Sequence, residues 1–232
     1  MVGSRIDRRH LRHVLRVLRE TRAPLPAHEH ALAGTRARHA AIDEVLAEVE
    51  AFGVRMPLEF IWAIDGSGVE EDKPMIVHLH RGMLAAKRVP ARVLELADRV
   101  SSIDLRSTVR HEIGHALLFH DPRAATTPAF RALFGDVSRR YRVGHAVNEI
   151  ARRLDRHRGF ANPRYRHVVS LYAATHPHEA FAEAVRIALA TAGDSQRIAA
   201  WIARHDVAPT VTRQIEYAAD WLTTYRRHTT PR

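Results

Sequence analysis

Hydrophobic residues recur at helical spacing along most of this chain, interrupted by one short interval that reads as strands. Residues 6–20 set Leu11, Val14, Leu15 and Leu18 on one stripe among arginines, a basic amphipathic helix of the kind that docks on its own domain. Pro24, Pro26 and Gly34 then break the pattern. Helical spacing returns over 36–52 through Ala41, Val45, Leu46 and Val49, with Gly53 as the stop. Two strand-like runs follow, LEFIWAI (58–64) and MIVHLH (75–80), separated by the turn-rich DGSGVEEDKP. Beyond residue 120 the spacing predicts helices over 128–134, 137–158, 164–174, 179–192, 195–205 and 210–227. Breaks fall near Gly159, Asn162, Pro163, Gly193 and Pro209. The expectation is an α+β fold, mostly helical with a small mixed sheet. It divides into a basic helical N-terminal extension (1–35) and one domain (36–232).

One helix between these regions carries chemistry. RHEIGHALLFH (110–120) contains His-Glu-x-x-His as His111, Glu112 and His115. Positions i and i+4 share a helix face, so two imidazoles there can hold one zinc ion while the Glu reaches water at the metal. Asp104 or Ser107 can cap this helix and Pro122 ends it. Gly114 inside it costs about 1 kcal/mol relative to Ala, which points to something packed close against the backbone. The chain has 17 His, so the pentapeptide by itself does not make a site. The extended motif with a third His is excluded by Leu118 and Asp121, the inverted His-x-x-Glu-His order is absent, and there is no cysteine for a thiolate site. A third ligand must come from a later segment.

LYAATHPHEAFAEAVRIALA (171–190) is that segment. Pro177 suits the first turn of a helix or the residue before it, and Glu179 and Glu183 then project one turn apart from the same face. Carboxylates on so apolar a helix need partners, and a metal with its ligating imidazoles would serve. The economical assignment makes Glu179 the ligand and Glu183 an acceptor from a ligating His; Glu183, His176 and His178 are the other candidates for the third position. Solvated surface acids are the alternative for the Glu pair.

Three blocks, TVRHEIGH (108–115), FRALFGD (130–136) and YAATHPHEAFAE (172–183), resemble a bacterial family of zinc-binding metallopeptidases without a known substrate. The last block is more distantly similar to the catalytic domain of anthrax lethal factor and to the secreted Pro-Pro endopeptidases. Those are gluzincins, whose third ligand is a Glu on a second helix. The resemblance runs over roughly residues 75–190. It implies a zincin-like domain, Zn2+ as cofactor, His111, His115 and Glu179 as ligands, Glu112 as catalytic acid/base and Glu183 as the acceptor behind a ligand. It also implies that Tyr172, seven residues before Glu179, points at the catalytic centre. The chain departs from the near family in having Ala116, Leu117 and Leu118 where bulky aromatics usually follow the second His, and His178 where a Trp tends to precede the third ligand. Pocket shape and substrate preference therefore do not carry over. In zincins the strand before the metal-binding helix commonly forms the sheet edge that pairs with extended substrate, the place that 75–80 holds in sequence. His78 and His80 share one face of that strand, as groove wall or exposed residues.

The expected activity is hydrolysis of peptide bonds by zinc-activated water, with Glu112 moving the proton and Tyr172 donating to the oxyanion. A zinc-binding protein without catalysis is one alternative; a basic helical nucleic-acid or membrane-surface module with a chance motif is the other. Net charge is +10, yet all but Lys73 and Lys87 of the 36 basic residues are arginine, and no nucleic-acid-binding motif accompanies them. Specific nucleic-acid binding is not expected; peptide or protein substrates are. No run approaches the roughly 18 apolar residues of a membrane span. The N-terminal MVGSRIDRRHLRHVLRVLRETR lacks the apolar core and cleavage site of a secretory signal, and zero cysteines fit a reducing compartment, so a cytoplasmic location is expected.

Overall fold

The computed structural model describes residues 33–63, 67–81, 99, 104–139 and 166–229. The amphipathic helix expected over 6–20 and nearly all of that expected over 137–158 lie outside these residues. Among them the chain forms six α-helices and a three-stranded mixed sheet, an α+β architecture dominated by helix.

The first helix, α1 (Ala40–Ala51), starts four residues later than its periodicity suggests. Arg36 forms an antiparallel bridge with Ile61, and Ala37 donates its N–H to the Phe60 carbonyl, so this stretch is committed to the sheet. His39 caps the helix by accepting from Ala41 N at 3.1 Å. Gly53, at φ 78°, ends it in the left-handed conformation that side chains avoid.

Strands β1 (Glu59–Ala63), β2 (Gly68–Val69) and β3 (Ile76–His80) run in the order β1-β3-β2. β1 and β3 are parallel, and β2 is antiparallel to β3. The strand over 75–80 is therefore central, not the edge expected of it. The turn-rich interval folds back and lays Gly68 and Val69 against His78 and Val77, so that β3 has a strand on each side. Among the described residues nothing pairs with the outer side of β2.

The helix bearing His111 and His115 is α2 (Leu105–His120). Asp104 caps it, accepting from Ser107 N at 2.9 Å and from Ser107 Oγ at 2.6 Å. A 3-10 turn (Ala124–Thr126) and α3 (Pro128–Phe134) follow. Phe130 and Phe134 of α3 pack on Phe181, which gives the FRALFGD block a structural role under the next helix.

No α-helix forms over 166–174, contrary to its periodicity; this stretch passes from 3-10 geometry at 166–167 into bends and tight turns. Buried Arg99 supplies the reason. Its guanidinium donates to the Val168 and Val169 carbonyls at 2.7 and 2.9 Å, and its own carbonyl accepts from Leu171 N at 2.9 Å. Those are backbone groups a helix would have used. Pro177, which disfavours helical conformation at the preceding residue, then lets α4 (Pro177–Ala190) begin cleanly, with His176 extended as its cap.

α4 is buried on nearly every face. It lies against α2 and the long final helix α6 (Pro209–Thr229), with α1 and α3 at its margins. α5 (Ser195–His205) joins α4 to α6 and buries Ile198 and Trp201. A hydrophobic core through all these helices also takes Phe60, Trp62, Val77 and Leu79 from the sheet. Among the described residues no helix is long and apolar enough to cross a membrane.

Candidate metal centre

α2 and α4 meet where Gly114 faces Ala182. A Cβ on Gly114 would lie 2.8 Å from Ala182 Cα, so only glycine permits this approach. Residues within one turn of the contact are thereby brought face to face: His111 and His115 on α2, Glu179 and Glu183 on α4.

Three side chains converge there. His111 Nε2 is 3.0 Å from Glu179 Oε2, His115 Nε2 is 3.2 Å from the same oxygen, and the two Nε2 atoms are 3.1 Å apart. All three residues are buried. Donors held about 2.0–2.1 Å from one zinc ion at tetrahedral angles lie about 3.3 Å from each other, so this triangle already has close to the required dimensions. The donor chemistry agrees: two imidazole nitrogens and one carboxylate oxygen, facing a common point, call for a cation between them. His176 and His178 stand aside. His176 caps α4 and donates from Nε2 to the Arg139 carbonyl at 2.8 Å, while the His178 ring packs edge-on against Phe119, whose ring stacks on His115. Burial, with His176 and His115 close by, lowers the His178 pKa to about 4.

The fourth predicted residue backs the triangle. Glu183 Oε1 accepts from His111 Nδ1 at 2.7 Å, leaving Nε2 to face the other donors. Burial alone would lower the His111 pKa, but hydrogen bonds and charge from Glu179 and Glu183 outweigh it and raise it. Burial likewise pushes both carboxyls up, but His115 and His111 hold Glu179 well below the usual range, and Arg186 with His111 holds Glu183 at about 2. Both acids are thus carboxylates, and it is Glu179 that places its oxygen among the donors.

Glu112 is buried on α2 between the two imidazoles in sequence and belongs to no donor position. The Tyr172 ring lies 5.6 Å from that of His111, so the turns held by Arg99 do bring it to the site. His78 sits beside Glu70 at 3.8 Å and His80 is buried with its N–H on Ser67 Oγ; neither joins the donors. Arg186, which the spacing did not single out, reaches Glu183 through two hydrogen bonds. Its signal was a lone arginine three residues after Glu183 in an apolar run.

Residues 104–225, just over half of the chain, match the family described as "Putative zinc-binding metallo-peptidase". The chain belongs to this family. No curated protein and no solved structure matches it. The metallopeptidase match begins at the cap of α2 and continues into α6. It therefore starts later than the resemblance read from the three blocks, excluding the sheet, and extends further towards the C-terminus. Zinc as the cofactor follows from the family together with the buried His111, His115 and Glu179 group.

Proposed function

We propose that this protein is a gluzincin-type, zincin-like metallopeptidase that hydrolyses peptide bonds in peptides or proteins. The observation that carries the reading is the buried triangle of His111, His115 and Glu179 donors, formed between two helices and backed by Glu183. When bound, zinc supplies Lewis acidity that favours ionisation of water near neutral pH and polarises a peptide carbonyl. His111 and His115 hold it as neutral imidazoles and Glu179 as a carboxylate. Glu112 takes the proton as water oxygen attacks the carbonyl carbon, and returns it to the amine as the C–N bond breaks. Tyr172 donates its hydroxyl hydrogen to the developing oxyanion. β2, which has no strand on its outer side among the described residues, is the edge we assign to pairing with extended substrate, since β3 is enclosed. Glu112 also favours catalysis over a purely structural zinc site, because nothing about holding metal requires it.

The test is peptide-library digestion with a chelator control, alongside zinc analysis of wild type and Glu112→Gln. One zinc per chain and chelator-sensitive cleavage are expected. Glu112→Gln should retain zinc and lose cleavage by at least about 10²–10⁴-fold. An active Glu112→Gln would overturn the mechanism, and a zinc-loaded but inert wild type would establish the non-catalytic alternative.

A further inference from the structure

Arg186 occupies an unusual place for an arginine. It lies in the apolar run of α4 with 2% of its surface exposed, and its partner Glu183 is 0% exposed. A guanidinium is accommodated at such depth only when its charge is paired and its donors are satisfied. Its Nε donates to Glu183 Oε1 at 3.2 Å and its Nη2 to Oε2 at 2.9 Å. Two contacts from a planar fork fix the plane of a carboxylate as well as its position, which a point charge such as lysine does not do.

That orientation has a consequence at the metal centre. The oxygen that takes Arg186 Nε is also the one that accepts from His111 Nδ1 at 2.7 Å. Glu183 is too deeply buried for solvent to orient it. An imidazole committed to donating from Nδ1 presents the Nε2 lone pair, and in His111 this nitrogen faces Glu179 Oε2. We propose that Arg186 is a positioning residue of the zinc site: it clamps the Glu183 carboxylate against His111 Nδ1–H and so keeps Nε2 presented to the metal. This role rests on the reading of His111, His115 and Glu179 as zinc ligands.

The experiment measures zinc dissociation constants by competition with a chromophoric chelator, and melting temperatures of the zinc-free proteins. The set is wild type, Arg186→Lys, Arg186→Met, Glu183→Gln and the Glu183→Gln/Arg186→Met double variant. Loss of a group that orients a ligand weakens metal binding about 10–100-fold, and each single substitution should do so. Arg186→Lys keeps the charge but not the fork, so it should still lose about tenfold. The double variant should bind zinc no more weakly than Glu183→Gln, because Arg186 acts through Glu183. A merely structural arginine would lower melting temperature and leave the zinc affinity of the folded protein unchanged. The proposal is overturned by a folded Arg186→Lys or Arg186→Met with wild-type zinc affinity, or by a full additional loss in the Glu183→Gln background. Should Arg186→Met not fold, Arg186→Lys decides against wild type, and the double variant, free of an unpaired buried charge, decides against Glu183→Gln. A wild type that binds no zinc overturns the ligand assignment itself and this role with it.

Discussion

Replacing Gly114 by alanine tests the contact on which the centre depends. Alanine is the better helix former, and propensity alone predicts a gain of about 1 kcal/mol in a helix interior. The structure predicts the opposite. The new Cβ would stand 2.8 Å from Ala182 Cα and 3.2 Å from both its Cβ and its carbonyl oxygen. The first distance is more than half an ångström short of the roughly 3.5–4.0 Å of an ordinary carbon–carbon contact. The obstacle is the backbone of α4, so no rotamer change relieves it. Overpacking of this kind costs about 1–3 kcal/mol; against a backbone the upper half of that range applies, leaving a net loss of about 1–2 kcal/mol. For a chain of this size that lowers the melting temperature by about 2–8 °C. Separating α2 from α4 by half an ångström also moves Glu179 from His111 and His115 by more than the ±0.2 Å or so that metal–ligand distances tolerate. Zinc affinity should therefore fall at least about tenfold. Circular dichroism melts of the zinc-free protein and chelator competition read the two effects. A Gly114→Ala protein that melts higher and binds zinc as tightly as wild type would refute the close approach of the helices.

Ligand removal should separate the donors: His111→Ala, His115→Ala and Glu179→Ala each abolish or severely weaken zinc binding, measured by metal analysis after dialysis, and full zinc in Glu179→Ala would remove it from the donor set. Tyr172→Phe should lower kcat about 10²–10³-fold with KM and zinc content nearly unchanged, as expected of an oxyanion donor; an unchanged kcat would reduce Tyr172 to packing beside His111. His205 gives a pH signature away from the donors. Burial, with Arg99, Arg186 and Arg204 nearby, lowers its pKa to about 3. Between the ordinary imidazole value of about 6.5 and that value, the unfolded chain takes a proton that the folded chain refuses. Stability is therefore at its full value above about pH 6.5 and declines as the pH falls towards 3. His205→Gln should flatten the acid limb of melting temperature against pH, and an unaltered limb would count against the assignment.

What the sequence determined by itself was local. The i,i+4 spacing of His111 and His115 puts both imidazoles on one face of a helix, and the two cap candidates Asp104 and Ser107 bracket its start, Asp104 being the one that caps. The same periodicity placed α3 and α5 at their observed bounds and set Glu179 and Glu183 one turn apart. The misplaced glycine at 114 even announced a close contact, though not its partner. Tertiary structure decided everything that depends on residues distant in the chain meeting each other. Nothing in the spacing selects Ala182 as the surface against Gly114, yet with that contact Glu179, of the four candidate third ligands, sets one oxygen against both imidazoles. Strand order was equally non-local: an alternating run is compatible with edge or centre, and only the return of Gly68–Val69 enclosed β3. At 166–174, helical periodicity lost to Arg99, an arginine some seventy residues upstream that took the carbonyls for itself and left Tyr172 in a turn beside His111. Arg186 follows the same rule, since only the fold turns a lone charge in an apolar run into a clamp on Glu183. Periodicity governs which face a residue occupies, whereas the energy of a buried charge or a helix contact depends on what the rest of the chain brings to that face.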